Sequence, residues 1–207
     1  IVINHAIGID SSVYSTEPYT KLLLGFKYAL LRKEFFKEFE IKIDKEFSCL
    51  IIMGGADPFG VTNHLVQLLT KINLRKPIAV VSPNKISHEN IVWFKNLSAL
   101  EISKLMENTD FGIFPASTVA IEACAKRLPF ICGYFVKNQI ELHGGINKNK
   151  LALATGDYKI INFKSIQNAV ETIRNEKVQE KIIARQKEKL DWNINDRLKN
   201  VFFSLKN

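Results

Sequence analysis

A serine-threonine pair followed one helical turn later by a glutamate is the arrangement in this sequence with the clearest chemical use. Ser117 and Thr118 open a helical pattern directly after an apolar run, so their hydroxyl and N–H groups could hold an anion. Glu122 lies about 5–6 Å along the same helix face. A diphosphate at the helix start would place an attached ribose near this carboxylate, which can accept bonds from both ribose hydroxyls. The alternative is that Ser117 is a helix cap and Glu122 a solvated side chain.

A pair of glycines follows an earlier apolar run. Gly54 and Gly55 come directly after Ser48–Met53 and precede a helical pattern that begins near Val61. Glycines let a backbone pass close to a phosphate, and the start of the next helix supplies N–H donors. The alternative is a plain tight turn, since the sequence matches neither the dinucleotide fingerprint nor a P-loop.

Two neighbouring amides follow a third apolar run. Asn138 and Gln139 come shortly after Pro129–Phe135. Each amide group both donates and accepts hydrogen bonds, which suits sugar hydroxyls and N-acyl groups. The alternative is an asparagine helix cap beside an exposed glutamine.

The remaining reactive residue types indicate neither a metal site nor a nucleophile. The histidines have no partner at ligand spacing, and no nucleophile-elbow motif is present. His143 is the candidate for a chemical role that lies nearest to the amide pair, but we assign no catalytic residue to this chain. The odd count of cysteines predicts reduced, buried thiols. These residues are His5, His64, His88 and His143, and Cys49, Cys124 and Cys132.

The elements that must position these residues alternate between strands and helices. Near-continuous apolar strands separated by helical patterns predict an α/β, Rossmann-like parallel sheet with helices on both faces. Ligands in such sheets bind outside the carboxyl ends of the strands. The serine-threonine, glycine and amide pairs described above should therefore share one edge of the sheet. We predict strands at Ser48–Met53, Pro77–Val81, Ile91–Phe94, Asp110–Phe114 and Pro129–Phe135, with a short one within Leu151–Ile160. We predict helices from Val61 to Ile72, over Leu100–Glu107 and Ser117–Lys126, and throughout the last 45 or so residues; no element is assigned to Asn138–Lys150.

Composition excludes several classes of protein. The 207 residues are 46% hydrophobic and 24% charged, which excludes a disordered chain, a collagen-like repeat and a coiled-coil rod. No apolar run approaches the roughly 20 residues of a membrane helix, so we expect no membrane insertion and a soluble, cytoplasmic protein. The net charge of +8 raises nucleic acid as a partner. In Lys177–Lys189, however, the basic residues alternate with glutamates on a helical pattern, so a solvated helix face is favoured and no nucleic acid is expected.

The first residues are unusually apolar for a chain end. Ile1, Val2 and Ile3 precede Asn4 without a methionine or a signal-peptide pattern. Free termini are usually polar and frayed, so this triplet predicts a strand. We therefore expect the chain to be part of a longer protein.

Four segments together resemble the C-terminal half of GT-B-fold nucleotide-sugar enzymes. They are most similar to the UDP-sugar hydrolases of pseudaminic-acid biosynthesis, relatives of the GlcNAc transferase of peptidoglycan synthesis. Leu23–Phe35 (LLGFKYALLRKEF) resembles the family's LLGPKYALLRPEF connection, and Met53–Pro58 resembles its GGSDP. Ser117 and Thr118 with Glu122 resemble GGTTxxE, and Pro129–Gln139 resembles a P…NQ segment. Two departures are Ala56 in place of serine and Ala116-Ser117 in place of Gly-Gly.

The resemblance implies a role for each matched residue. Gly54, Gly55 and Asp57 would line the cleft near the diphosphate, and the backbone around Leu97 would meet uracil. The other implied contacts are phosphate at Ser117 and Thr118, ribose at Glu122, and the sugar at Asn138 and Gln139.

The resemblance also implies a two-domain enzyme that needs no cofactor or metal. An N-terminal half outside this chain would carry a Gly-x-Gly-His loop whose histidine acts as acid/base. Residues 1–34 would be a remnant of that domain and the interdomain connection, with Ile1–Asn4 as its last strand. Residues 35–207 would form the nucleotide-sugar-binding domain. The expected partners are a UDP-sugar and the N-terminal domain; a glycosyltransferase of the same fold, or a non-catalytic binding module, are the alternatives.

Overall fold

Six parallel strands form the main sheet of this protein. The computed structural model describes residues 1–36, 44–55 and 57–205. The strands are β1 (Val2–Asn4), β2 (Leu22–Leu24), β3 (Phe47–Ile52), β4 (Ile78–Val81), β5 (Ile91–Phe94), β6 (Thr109–Pro115), β7 (Phe130–Tyr134) and β8 (Leu153–Asp157). The main sheet has the order β5-β4-β3-β6-β7-β8, and β1 and β2 form a separate parallel pair.

The predicted α/β, Rossmann-like fold is confirmed. The predicted strands occur within one or two residues of their expected bounds. All six residues of β3 are buried, as expected for a strand covered on both faces. The chain order reverses at β3, because β4 and β5 extend the sheet on one side and β6 returns to pair on the other. This switch point creates the crevice in which open α/β sheets bind ligands.

Helices cover both faces of the main sheet. The helices are α1 (Val61–Leu69), α2 (Ala99–Glu107), α3 (Thr118–Ala125), α4 (Ile140–Lys148), α5 (Phe163–Ile173), α6 (Glu176–Lys189) and α7 (Ile194–Phe203). One hydrophobic cluster packs α2, α3 and α4 against the sheet, and the other packs α1 and α5 against the opposite face. Within the described ranges, no helix is long and apolar enough to cross a membrane.

The structure corrects the sequence prediction in two places. The stretch to which no element was assigned contains α4, whose Leu142 and Ile146 are buried one turn apart. The polar and glycine residues of this stretch are typical of loops, so the sequence did not predict the helix. The last 45 residues are not helical throughout, because short non-helical segments separate α5 from α6 and α6 from α7. The side chain of Asn175 accepts a bond from the Lys177 N–H, which starts α6 as a separate helix.

The N-terminal segment, residues 1–36, packs onto the face of the sheet that α2, α3 and α4 cover. Ile1–Asn4 contains strand β1, as predicted from its apolar residues. Phe26 and Phe35 are buried in the same cluster as α2, α3 and α4. At Gly145 of α4, an added Cβ would lie 1.7 Å from the Ile7 carbonyl oxygen, so only glycine admits this backbone contact. The N-terminal segment is therefore joined to the sheet domain by a packed interface.

Candidate functional site

A cavity of about 350 Å³ opens at the carboxyl edge of the sheet, between the ends of β3 and β6. It brings together Gly54, Ser117, Thr118 and Glu122, which the sequence analysis had placed at one edge. Gly55, Asp57, Leu97, Asn138 and Gln139 are not part of its wall. The wall is formed by Arg32, Ile52, Gly54, Ile102, Ser117, Thr118, Val119 and Glu122.

The start of α3 presents free hydrogen-bonding groups to this cavity. Ser117 is the N-cap residue, but its hydroxyl makes no capping hydrogen bond, and the first turn of α3 contains no acidic residue. The N–H groups of Thr118 and Val119 have no acceptor within the helix, because they belong to its first turn. The positive end of the helix dipole adds to their attraction for an anion. Ser117 is therefore at the cap position, as the alternative had it, but its side chain makes no capping hydrogen bond.

Gly54 forms the opposite wall in a conformation that suits glycine. Its φ of +99° lies in the region that L side chains rarely adopt, and the position where a Cβ would lie is open. Both Gly54 and Gly55 are exposed. The backbone therefore leaves free space beside the start of α3.

Asp57 has a structural role that the sequence analysis did not anticipate. Its Oδ1 accepts the Val61 N–H and its Oδ2 accepts the Thr62 N–H, both at 2.8 Å. The carboxylate therefore caps α1, whose N-cap residue Gly60 has no side chain to do so. The expectation that the N-terminus of α1 would offer these N–H groups to a diphosphate is wrong, because Asp57 already occupies them. Ala56, where the family has serine, lies outside the described residues.

Glu122 is buried and paired, so the alternative of a solvated side chain is wrong. Its side chain is 3% exposed, whereas that of Arg32 is 45% exposed. Arg32 Nε donates to Glu122 Oε1 at 2.8 Å, and Nη2 donates to Oε2 at 3.0 Å. The guanidinium also lies over the Phe35 ring, 5.0 Å from its centroid. The sequence does not indicate Arg32 as a site residue, because its partner lies 90 residues away along the chain.

The electrostatics of this pair have two opposing causes. Burial raises the pKa of Glu122 above its ordinary value, and the hydrogen bonds and charge of Arg32 oppose that rise. The hydrogen bond to Glu122 raises the pKa of Arg32, which therefore stays protonated. The cavity thus contains a carboxylate whose orientation is fixed by a permanent cation.

The two amide residues after β7, Asn138 and Gln139, differ in their surroundings. Gln139 is buried, and its Oε1 accepts the Phe135 N–H at 2.9 Å, so this side chain shapes the turn at the end of β7. The alternative of an exposed glutamine is wrong. Asn138 is exposed and its amide is free to contact a ligand. Leu97 is half-buried and follows Asn96, whose φ of +54° turns the chain after β5.

His64 and His143 each contact another part of the protein. His64 Nε2 lies 2.8 Å from the Ile161 carbonyl oxygen, which links α1 to the end of β8. His143 packs edge-to-face on Tyr134, with ring centroids 5.1 Å apart, and its Nε2 is buried without a partner among the described residues. Burial lowers the pKa of His143. The imidazole therefore favours its neutral form inside the α4 interface.

Comparison with known proteins gives one curated relative, and no family model matches the chain. The relative is the UDP-2,4-diacetamido-2,4,6-trideoxy-beta-L-altropyranose hydrolase of Campylobacter jejuni, 32% identical over 126 residues. The match covers 56% of this chain and 44% of the hydrolase. The chain thus spans about half the length of the relative, and its partial similarity to a nucleotide-sugar hydrolase agrees with the resemblance in its motifs.

Several solved structures that share this fold are glycosyltransferases. The spinosyn rhamnosyltransferase SpnG complexed with thymidine diphosphate has a TM-score of 0.61 and 10% identity, covering 93% of this chain and 53% of that one. MurG of Acinetobacter baumannii has a TM-score of 0.61 and 11% identity, covering 90% and 56%. At such low identities the similarity establishes the fold alone, and it is that of GT-B enzymes.

Proposed function

We propose that this chain binds the nucleotide part of a UDP-sugar in the cavity between β3 and β6. One observation carries the proposal. The N-terminus of α3, the backbone of Gly54 and the carboxylate of Glu122 all line the same cavity. An anion at Ser117 and Thr118 would place the diphosphate at the positive end of α3. The ribose hydroxyls would then lie one helical turn deeper, at Glu122.

The remaining contacts extend from this centre along the edge of the sheet. The backbone around Leu97 would meet uracil, and the exposed amide of Asn138 would meet the sugar. Gln139 would contribute through its Nε2 group, since its Oε1 is bonded to the turn. Asp57 would support the site only indirectly, by holding the start of α1.

We further propose that the protein containing this chain is a hydrolase that cleaves the sugar–diphosphate link and releases UDP in the biosynthesis of a nonulosonic acid. The 32% identity to the Campylobacter jejuni hydrolase supports this reaction. Residues 1–34 would then be the connection to an N-terminal domain, and residues 35–207 the nucleotide-sugar-binding domain. The acid/base would come from the other domain, because His143 is enclosed against Tyr134.

A glycosyltransferase that uses a UDP-sugar donor is the second candidate. It is favoured by the structural neighbours, which include the rhamnosyltransferase SpnG and MurG. The two reactions differ in the acceptor, which is water in one case and a sugar or lipid in the other. Release of UDP from the nucleotide sugar without an added acceptor would support the hydrolase, and release that requires an acceptor would support the transferase.

The binding proposal is tested on this chain by calorimetry with UDP, uridine and inorganic diphosphate. We expect weak binding of UDP, because in the proposed two-domain protein the other domain would provide half of the cleft wall, and without it water remains in the site. Inorganic diphosphate and uridine should each bind more weakly than UDP. A coupled UDP-release assay should show no turnover by this chain alone. Absence of UDP binding would refute the nucleotide site, and full turnover would refute the two-domain mechanism.

A further inference from the structure

Strand β8 leaves one edge of the main sheet open. Within the described ranges it pairs with β7 alone, and each of its five residues is half-buried. The outer edge of such a strand carries N–H and C=O groups that a further strand can pair with. Natural proteins commonly protect such edges with lysine or proline, and Leu153–Asp157 contains neither. Leu153 and Ala154 pair regularly with β7, and the register shifts between Ala154 and Asp157, opposite Cys132 and Tyr134.

A groove lies on each side of this open edge. The groove toward α5 has a volume of about 540 Å³, and the groove toward α4 and α6 has a volume of about 650 Å³. Both grooves include Leu153 and Ala154 in their walls. Side chains alternate between the two faces of a strand, so an added strand would place successive side chains in the two grooves.

The two grooves differ in chemical character. The groove toward α6 has Lys150, Lys181 and Arg185 around the apolar Val178 and Ile182, and its wall contains no acidic residue. All three cationic residues are exposed, and Arg185 also pairs with Glu188, outside the groove wall, at 2.6 Å. This groove suits acidic side chains whose stems are apolar.

The groove toward α5 suits small apolar side chains. Ile160 lies in its wall and is 80% exposed, the second most exposed large hydrophobic side chain among the described residues. Ala169 and Ile161 provide further apolar surface, and the polar groups of the wall include those of Asp157, Ser165, Asn168 and Thr172.

We propose that β8 is a docking edge for an extended acidic segment of another protein, which adds to the sheet as a seventh strand. Main-chain hydrogen bonds to β8 would provide affinity, and the alternation of acidic and small apolar side chains would provide specificity. Charge complementarity selects this occupant, because the cations of the α6 groove attract carboxylates. It also disfavours a second copy of this chain, since two chains of net charge +8 repel each other.

The proposal is tested with a fluorescent peptide of about seven residues in which valine and glutamate alternate, a length that spans the strand. We expect saturable binding, with protection of the β8 amide hydrogens against exchange. Two control peptides carry either lysine in place of glutamate or N-methyl groups on alternate backbone amides. Both should bind at least about tenfold more weakly, because one loses the charge match and the other loses the main-chain bonds.

A charge reversal in the α6 groove provides the matched protein variants. Lys181→Glu should weaken binding of the acidic peptide by about three- to tenfold, since one exposed attraction becomes a repulsion. Lys187→Glu makes the same change in net charge on the exposed face of the same helix, outside the groove, and should have much less effect. Both residues are exposed, so both variants should fold, and circular dichroism checks this.

Three results would overturn the proposal. The first is equal binding of the N-methylated peptide, which would mean that no strand is added. The second is an equal loss of affinity in the Lys187→Glu and Lys181→Glu variants, which would mean attraction by overall charge. The third is a concentration-dependent dimer in sedimentation that protects β8 without peptide, which would identify a second copy as the occupant. UDP binding should be unchanged by the peptide, so this test is independent of the proposed nucleotide site.

Discussion

Arg32 and Glu122 form a two-pronged ion pair across 90 residues of sequence, with donor–acceptor distances of 2.8 and 3.0 Å. The pair connects the N-terminal segment to the first helical turns of α3, inside the candidate nucleotide cavity. Each carboxylate oxygen has two lone pairs, so Arg32 leaves acceptor capacity for ribose hydroxyls. Any ligand that bonds to Glu122 must therefore fit beside the guanidinium group or displace it.

Glu122→Ala should weaken UDP binding by about 1.5–3 kcal/mol, the usual range for hydrogen bonds to a charged group. The affinity for inorganic diphosphate should barely fall, because the phosphate contacts belong to the start of α3. Calorimetry with both ligands measures the difference. Glu180→Ala, an exposed residue of α6, is the control for a lost negative charge. Unaltered UDP affinity in a folded Glu122→Ala variant would remove Glu122 from the site.

The stability of the protein should depend on pH through Glu122. Burial raises the pKa of Glu122, so the folded state still holds this proton at a pH where the unfolded chain has released it. The stability contribution is therefore fully present below the unfolded pKa and is lost as pH rises through the folded pKa. Glu122→Gln has no such proton. Relative to that variant, the unfolding free energy of the wild type should fall as the pH rises from about 4.3, the ordinary pKa of a glutamate, through the raised pKa of Glu122.

Urea denaturation at several pH values and constant ionic strength measures this dependence. Arg32→Ala should increase the total fall in unfolding free energy with pH, because the hydrogen bonds and charge that oppose the rise in the pKa of Glu122 are lost. A difference between wild type and Glu122→Gln that stays flat, or increases with pH, would contradict the raised pKa.

Asp57→Ala should destabilise the protein by about 1–2 kcal/mol, because two N–H groups at the start of α1 lose their acceptor. Asp57→Asn retains one side-chain oxygen acceptor and should cost less. Chemical denaturation measures both variants, and calorimetry tests the functional side. UDP affinity should be nearly the same in Asp57→Asn and wild type; a large loss in that variant would restore Asp57 as a substrate-binding residue.

Gly145→Ala should destabilise the interface between α4 and the N-terminal segment by about 1–3 kcal/mol, the range for overpacked sites. The new Cβ would lie 1.7 Å from the Ile7 carbonyl oxygen, and this backbone atom cannot move aside as a flexible side chain could. Gly144→Ala is the matched control: nothing lies within 4 Å of its added Cβ, so it should gain about 1 kcal/mol in helix propensity. Hydrogen exchange around Ile7 should rise only in Gly145→Ala. Equal exchange in the two variants would contradict the packed interface.

The sequence alone determined the sheet and the edge at which the candidate site lies. Continuous apolar runs such as Ser48–Met53 are consistent with strands buried on both faces, and their alternation with helical patterns allowed few topologies. Parallel strands end at a common edge, so the residues after β3 and β6 were expected at that edge. That they are neighbours depends on the pairing of β3 with β6, which the tertiary structure decided. The sequence also placed Glu122 correctly relative to Thr118, because helical spacing is a local property.

Only the tertiary structure decided what each polar group is bonded to. The pairing of Arg32 with Glu122 depends on how residues 1–36 fold back onto the sheet, and no local pattern encodes a contact across 90 residues. The bond from Phe135 to Gln139 and the double cap by Asp57 depend on the path of each loop. The hydrophobic pattern encodes which faces are buried, because burial follows residue type. Hydrogen-bond partners depend on distances of a few tenths of an ångström, which only the folded chain fixes.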